Sequence, residues 1–364
     1  MNRRLLRYLD WPLLVATLAL IAGGAVVLYS ATQTSPDPWA FVRARTAHAI
    51  LGFMLLAIVA AVDYQTIARA WRSILIGTLL LLGTVLLVGR TSLGAQRWIP
   101  LGPLGGFQPS ELAKLLLIVT IAKHIDGHRE IDSWRALVPV LLQVALPVAL
   151  IVRQPDLGTA MVLAIITAAM LFAAGAPLRM LGVLGTGAAA LIPLLWQVLH
   201  DFQRRRLIVF IDPGTDPLGA GYALIQSKIA VGSGQLVGKG LLHGTQNLLN
   251  FIPEQHTDFI FTVVGEELGF IGGVAMLALF ALWLWRGMAI AIQAKDRLGM
   301  LMAVGVASMV AFHVVVNVGM TVGLVPITGI PLPFISHGGS ALIVMLMATG
   351  LLLNIGMRRK KILF

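Results

Sequence analysis

The sequence contains no cysteine and little charge. Without cysteine it can form no disulfide, no thiolate nucleophile and no thiolate metal site. Charged residues make up 12% of the 364, about half the ~25% usual in soluble domains. Hydrophobic residues make up 58%, and the mean hydropathy is +0.88. That balance excludes a soluble globular fold. No segment alternates polar and apolar over ~10 residues as outer-membrane barrel strands do. There is no internal repeat, low-complexity tract or separate soluble domain. Acids are scarcer than bases: 16 Asp and Glu against 27 Lys and Arg give a formal net charge of +11.

What is present is a series of apolar blocks near the ~20 residues that a helix needs to cross a bilayer. Ten spans are expected, at roughly 12–31, 46–62, 73–89, 111–123, 136–152, 158–175, 180–198, 262–285, 299–322 and 340–357. The first follows Arg3, Arg4 and Arg7 but lacks an A-x-A cleavage site, so it reads as a retained helix rather than a signal peptide. The expected fold is an all-α polytopic membrane protein, a single integral membrane domain over 1–364. One large loop, about 199–261, joins the seventh and eighth spans.

Ten spans put both termini on one side. Assigning that side to the cytoplasm places sixteen of the 27 basic residues there and ten outside, five of those in the one long loop. Lys and Arg collect in cytoplasmic loops, so both termini are expected inside. The net charge is then a topology signal and calls for membrane lipids rather than nucleic acid as a partner. Asp10, Asp63, Asp126, Glu130, Asp132 and Asp296 fall in cytoplasmic segments and read as solvated loop charges. The other acids lie outside or at outer span ends, where a buried charge costs roughly 2.5–3.5 kcal/mol and is paired or functional.

Four outer patches concentrate the polar residues. In the first, Gly94 to Gly102 and Phe107 to Lys114, Ser110 or a neighbour can cap the fourth span, and Glu111 and Lys114 share a helical face at i, i+3. They read as a tethering ion pair, a charged cavity wall, or both. In the second, Arg153 to Thr159, Asp156 can cap the sixth span, which explains it without catalysis. The third is the long loop. It holds Arg204-Arg205-Arg206, an amphipathic stretch from Tyr222 to Val231 suited to the membrane interface, Lys228, Lys239 between glycines, and His256-Thr257-Asp258. Lys and Arg beside glycine-rich backbone suit a phosphate-bearing ligand, while the arginine run by itself reads as a lipid-headgroup anchor. In the fourth, His313, Asn317 and Thr321 share a face, as interhelical hydrogen bonds require. The Pro/Gly run through Ser336 and His337 suggests broken backbone lining a cavity.

The motifs GAQRWIPLG with QPSELAK, DPLGAGY with QSKIAVGSG, GKG with HGTQ, PEQHTDFIF with EELG, and PLPFISHGGS resemble the SEDS family of bacterial shape, elongation, division and sporulation proteins. The resemblance runs in order along almost the whole chain. Gln96, the Gln226 to Ala230 run, His243 to Gln246 and Ala341 are closer to the elongation branch than to the division branch. His337 departs from the pattern, where tyrosine is common. The resemblance implies a peptidoglycan glycosyltransferase of the bacterial cytoplasmic membrane. Its substrate would be lipid II, a disaccharide-pentapeptide on undecaprenyl diphosphate, and its partner a class B penicillin-binding protein acting as transpeptidase. It implies that Asp258 is the essential acid and that Glu111 and Lys114 are cavity residues.

Such a transfer needs a base at the acceptor hydroxyl and positive charge at the departing diphosphate, but no general acid. The expected site is therefore Asp258 as base. Arg97, Lys114, Lys228 and Lys239 supply charge, and Asp156 and Ser336 complete the substrate-binding set. The sequence has no dedicated metal-ligand spacing; a divalent cation, Mg2+ or Mn2+, bridging Asp258 and the diphosphate is an open alternative. Two other readings stay open here: a lipid II flippase, and a division-specific polymerase. A scaffold for the transpeptidase would leave the outer charges unexplained.

Overall fold

The computed structural model describes residues 7–92, 95–100, 106–128, 131–217, 219–249, 251–253 and 255–359. Gly94, Leu101, Gly102, Arg129, Glu130, Leu218 and Glu254, which belong to the motifs and charge pattern above, and the terminal basic residues Arg3, Arg4, Lys360 and Lys361 lie outside the described residues.

Seven helices among the described residues are long and apolar enough to cross a membrane. They are α1 (Trp11–Ala31), α2 (Pro38–Ala61), α4 (Trp71–Val88), α6 (Trp134–Arg153), α14 (Gly269–Ile292), α15 (Arg297–Thr321) and α16 (Gly339–Met357). Between them lie α3 (Tyr64–Arg69), α5 (Pro109–Asp126), α7 (Leu157–Ala173), α8 (Leu178–Ala190) and α9 (Ile192–Val198). The long loop folds into α10 (Asp201–Ile211), a 3-10 turn (Pro213–Thr215), α11 (Ala220–Ser233), α12 (Thr245–Leu248) and α13 (Ile260–Glu267). The centre is built from α5, α15 and α16. The best apolar window of α16 is 83% buried, against 17% for the peripheral α4. Exposed Ile50, Met54, Ile58, Leu80, Leu142 and Leu146 form the outward face that lipid would cover.

The structure departs from the expected fold at two spans and one connection, and the second helix starts at Pro38, ahead of the expected 46. The expected seventh span, 180–198, divides into α8 and α9, because Pro193 has no N–H to continue the ladder. The expected eighth, 262–285, divides into α13 and α14 at Gly269, whose φ is +65°. There the backbone of residues 234–240 lies directly on the junction. A Cβ on Gly238, itself at φ +79°, would meet Glu267 O, and one on Gly269 would meet Gly238 N. Only glycine permits so close an approach in a left-handed conformation. Finally, a small three-stranded antiparallel sheet, β1 (Arg90–Ser92), β2 (Ala95–Pro100) and β3 (Gly106–Phe107), joins α4 to α5 in a fold expected to be wholly helical.

The acids expected on the cytoplasmic side are not all solvated. Asp10 is buried, caps α1 at Leu13 N and pairs with Arg286 at 2.6 Å. Asp296 caps α15 at Gly299 N and accepts from Tyr64 Oη and Gln65 Nε2. Asp63 caps α3 and lies 3.4 Å from Arg358. Each sits one residue outside a helix, where a carboxylate satisfies N–H groups that would otherwise lack a partner.

Residues 322–338 run between α15 and α16 without helix, yet Ile330, Leu332, Phe334 and Ile335 are buried. Arg45, expected in an outer loop, lies buried within α2. It donates to the carbonyls of Phe334, Ile335 and Ser336, the latter two at 3.0 Å. Beside it His337 stacks edge-on against Phe41 and near His256, with ring centroids 5.3 and 5.7 Å apart. Burial, then His256, Arg45 and His48, push the His337 imidazole down to about 4. A histidine whose folded pKa is depressed contributes stability above its unfolded value of ~6.5 that is lost as pH falls toward the folded value. The melting temperature should therefore fall between pH ~6.5 and about 4. His337→Tyr, which cannot take up that proton, should flatten the profile in thermal melts across this range.

Candidate active site

The site is assembled where β2, α5, α7, α15 and the 322–338 segment converge. Its floor is an ionic cluster. Pro109 starts α5 and the i, i+3 spacing sets Lys114 over Glu111, with Nζ 2.8 Å from Oε1. Lys114 Nζ also lies 2.9 Å from His313 Nε2 of α15. His313 Nδ1 is 2.7 Å from the Met309 carbonyl, which fixes the proton on Nδ1 and leaves Nε2 to accept from the ammonium. All three side chains are buried, and Glu111 Oε2 is buried with no hydrogen-bond partner. The ion pair that the spacing predicts is therefore formed, Lys114 ties α5 to α15 through His313, and Glu111 and Lys114 both line one small cavity.

The wall above the cluster is the turn before α7. Asp156 caps α7, accepting from Thr159 N at 3.1 Å and Oγ1 at 2.9 Å, and also accepts from Gln108 Nε2 at 3.3 Å. Ser110, expected as a cap of α5, instead hydrogen-bonds Gln108 and the Asp156 carboxylate, and the N-cap position is Gln108. From β2, Arg97 reaches across with Nη1 3.8 Å from Asp156 Oδ1 and donates to the carbonyls of Gln154 and Pro155. Arg97, Gln108, Asp156 and Thr159 line the same cavity as Glu111, Lys114, Gly329, Ile330 and Pro331. The Pro/Gly segment thus lines a cavity as its sequence suggested.

Asp258 lies half-buried just before α13. Its carbonyl accepts from Asn317 Nδ2 at 2.9 Å, and the same amide donates to Ile330 O at 2.8 Å. One side chain of α15 therefore ties the Asp258 turn to the segment that walls the cavity. The Asp258 carboxylate faces Gly329: a Cβ there would lie 3.4 Å from Asp258 Oδ2 and 3.4 Å from Arg206 Nη1.

Arg206 is the residue that the sequence reading placed elsewhere. It lies on α10, turned inward with Gln203 and Val209, while Arg205 is exposed. Gln203 Nε2 donates to Pro155 O at 3.1 Å, docking α10 on the turn that carries Asp156. Burial lowers the Arg206 pKa from its ordinary value, while the charge of Asp258 opposes that shift and the charge of Arg97 adds to it. The headgroup-anchor reading of the run therefore fits Arg205 and fails for Arg206.

The remaining expected site residues stand apart. Lys239 pairs with Glu266 at 2.7 Å and Thr245 at 2.8 Å. Lys228 is exposed on α11 and lies along the backbone of Gly323. Ser336 is buried, and its hydroxyl accepts from Leu332 N at 2.8 Å. The stretch from Tyr222 to Val231 forms most of α11, whose two faces differ as expected: Leu224 and Ser227 are buried, with Ser227 donating to Thr321 O at 2.6 Å, while Ile225 and Ile229 are exposed. Among the described residues no group of three or more His, Cys, Asp or Glu is placed to hold a metal.

Gly329 has φ +73°, a conformation that costs an L-residue roughly 1–2 kcal/mol. Gly329→Ala should lower stability by about 1 kcal/mol. It should reduce turnover more than that, because its methyl would occupy the gap between Asp258 and Arg206. Paired thermal melts and initial-rate measurements separate the two effects.

Known proteins with these features are similar over nearly the whole chain. Residues 9–361 match the family model described as cell cycle protein, covering FtsW, RodA and SpoVE. Peptidoglycan glycosyltransferase MrdB of Escherichia coli (strain K12) is 41% identical over 355 residues, 97% of this chain and 95% of that protein. Stage V sporulation protein E of Bacillus subtilis (strain 168) is 39% identical, covering 95% and 96%. Among solved structures, a chain from a peptidoglycan synthase complex coordinating polymerization and crosslinking superposes with a TM-score of 0.82. It has 35% identity and coverage of 97% and 99%. Rod shape determining protein RodA of Thermus thermophilus gives a TM-score of 0.73 at 32% identity, covering 97% and 98%. Motifs, helical architecture and these similarities agree, and the chain belongs to the FtsW, RodA and SpoVE family of cell cycle proteins, the SEDS family that its motifs resemble.

Proposed function

We propose that this protein is a peptidoglycan glycosyltransferase that polymerises lipid II at the outer face of the bacterial cytoplasmic membrane, serving cell elongation and rod shape. The observation that carries the reading is that the Asp258 carboxylate and the Arg206 guanidinium both face Gly329, which also lines a cavity with Arg97, Asp156, Glu111 and Lys114. The glycosyltransferase activity is that of the similar MrdB, and rod shape is what the similar Thermus thermophilus protein is named for. Both termini lie in the cytoplasm, on the side where Lys and Arg accumulate. The similarity to a chain of a peptidoglycan synthase complex supports a class B penicillin-binding protein as partner.

The chemistry follows from the charges. The 4-hydroxyl of the acceptor GlcNAc attacks the anomeric carbon of the lipid-linked MurNAc. The new C–O bond forms as the bond to undecaprenyl diphosphate breaks, and the hydroxyl proton passes to the Asp258 carboxylate. Arg206 and Arg97 neutralise the charge that collects on the departing diphosphate, in a partly dehydrated setting where each is worth more than in water. Glu111 and His313 both hold the Lys114 side chain in place, and Glu111 Oε2 is left as an acceptor for a sugar hydroxyl. Arg206 takes the part that the sequence assigned to Lys228 and Lys239, of which Lys239 is already neutralised by Glu266.

The test is polymerisation of purified lipid II by the purified protein, with and without the transpeptidase partner. Wild type should form glycan strands. Arg206→Ala should lose more than tenfold in rate, and Arg206→Lys should retain part of it, since charge without a planar fork still offsets the diphosphate. Wild-type rates from Arg206→Ala would return Arg206 to the role of a headgroup anchor.

A further inference from the structure

A second cavity borders the turn that carries Asp258. Its volume is about 390 Å³, within the ~300–1,000 Å³ of small-molecule sites. Two segments wall it. One is the connection between α1 and α2, with Thr32, Thr34 and Ser35, followed by Phe41 in the first turn of α2. The other is the run into Asp258, with Gln255 and His256.

Local structure fixes both walls. Thr32 follows the last residue of α1 and its Oγ1 donates to Leu28 O at 2.9 Å, while the oxygen keeps lone pairs to accept. Asp37 caps α2 at Ala40 N, which sets the start of the helix and with it Phe41. The Phe41 ring meets the His256 ring edge-on, with centroids 5.5 Å apart. His337 N donates to His256 O at 2.9 Å, and Gln255 Nε2 lies 3.3 Å from Thr262 Oγ1 of α13. The lining is held before any ligand arrives, which lowers the cost of binding.

The chemistry of the lining selects its ligand. Among the described residues that line this cavity none is Asp, Glu, Lys or Arg, so a diphosphate would find no fixed counter-charge. An acyl chain would bury the hydroxyls and the amide without partners. A sugar ring carries hydroxyl and amide groups on its rim and C–H groups on its faces. Three hydroxyls, one amide and two aromatic rings match both. His256 is two residues before Asp258, so their Cα atoms lie at most ~7 Å apart. At the same end of α2, Trp39 is 56% exposed and packs on Tyr29 with ring centroids 4.8 Å apart. Exposed Trp beside Tyr marks the headgroup level of a bilayer. A sugar joined to a lipid through a diphosphate is held close to that level.

We propose that this cavity holds the GlcNAc ring of the acceptor and presents its 4-hydroxyl to Asp258, an assignment that rests on the glycosyltransferase reading. Phe41 and His256 cover the C–H faces of the ring. Thr32, Ser35 and Gln255 take its hydroxyl and acetamido groups. The Asp258 turn then lies between a neutral cavity for the acceptor sugar and the charged cavity of Arg97 and Lys114.

The test uses full-length protein in lipid nanodiscs, because sugar-based detergents would compete for the site. The probe is the soluble GlcNAc–MurNAc disaccharide, which lacks diphosphate and lipid, and its binding is read by saturation-transfer NMR. Wild type should transfer to the GlcNAc N-acetyl protons. Ser35→Trp, which fills the cavity from a connecting segment, should weaken that binding about tenfold or more, whereas Asp258→Asn should keep it. In polymerisation Ser35→Trp should raise the lipid II KM about tenfold and keep kcat within about threefold, the pattern of lost binding and not of lost chemistry. If Ser35→Trp does not melt as a folded protein, Phe41→Leu serves instead, since it removes the ring face and should raise KM in the same way. No transfer from wild type would overturn the proposal, as would a signal lost in Asp258→Asn but kept in the cavity variant. Strands made by the cavity variant at the wild-type KM would overturn it too and leave the glycosyltransferase reading standing. A wild type that binds the disaccharide yet makes no strands would overturn that reading and leave a sugar-binding cavity.

Discussion

Asp258→Asn should reduce lipid II polymerisation by about a thousandfold while leaving the melting temperature within a degree or two of wild type. Positioned general bases contribute roughly 10²- to 10⁴-fold. The amide keeps the size and shape of the carboxylate but cannot accept the hydroxyl proton. The substitution should leave the fold alone because the contact that fixes this turn, from Asn317 Nδ2, is made to the Asp258 carbonyl and not to its side chain. Measured rates with purified lipid II, beside a thermal melt of the same sample, decide the matter. A variant that melts as wild type does and polymerises at the wild-type rate would remove Asp258 from the chemistry.

Lys114→Met should have the largest effect on stability, of order 3–5 kcal/mol, the usual result of removing one partner from a buried ion pair. The Lys114 side chain is 1% exposed and that of Glu111 4%, so no water replaces the ammonium. Glu111, with one oxygen already unpartnered, would lose the cation it pairs with, and His313 Nε2 would lose its donor. The double variant Glu111→Gln with Lys114→Met should be more stable than Lys114→Met alone, since it leaves no uncompensated charge. Both variants should be inactive, so detergent-solubilised yield and melting temperature are the informative readouts. If the double variant melts no higher than the single one, the cost lies in packing around the lysine stem.

Much of this site could be read in the sequence because its spacing is local. Glu111 and Lys114 are a helical turn apart, Asp156 sits one residue before an apolar run, and the His-Thr-Asp turn precedes another. What was hidden depended on partners distant along the chain. Lys239 looked like a ligand-binding cation, but Glu266, 27 residues on, consumes its charge. Asp10 looked solvated, but Arg286 lies against it, 276 residues away. Arg206 was concealed by two neighbouring arginines. The step of three through Gln203, Arg206 and Val209 marks it as the inward one, once 201–211 is taken as a helix. Arg45 falls outside the expected span because the apolar block begins after it. Yet Asp37-Pro38 is a capping signal, and Asp37 Oδ1 does accept from Ala40 N at 3.1 Å. Apolar blocks report where lipid lies, whereas caps report where helices begin, and in this chain the polar chemistry falls in the difference.

The double grip of Asn317 also bears on how the site responds to the membrane. Helices that span a bilayer tilt when its thickness changes. A site whose base and opposing wall hung on separate spans would widen or narrow with every such change. Here Asp258 and the segment beside Gly329 are both fastened to the end of a single helix by one amide. The distance between them is set by one side chain and not by the relative inclination of several spans. The reacting geometry can then be carried as a unit through lipids of differing chain length.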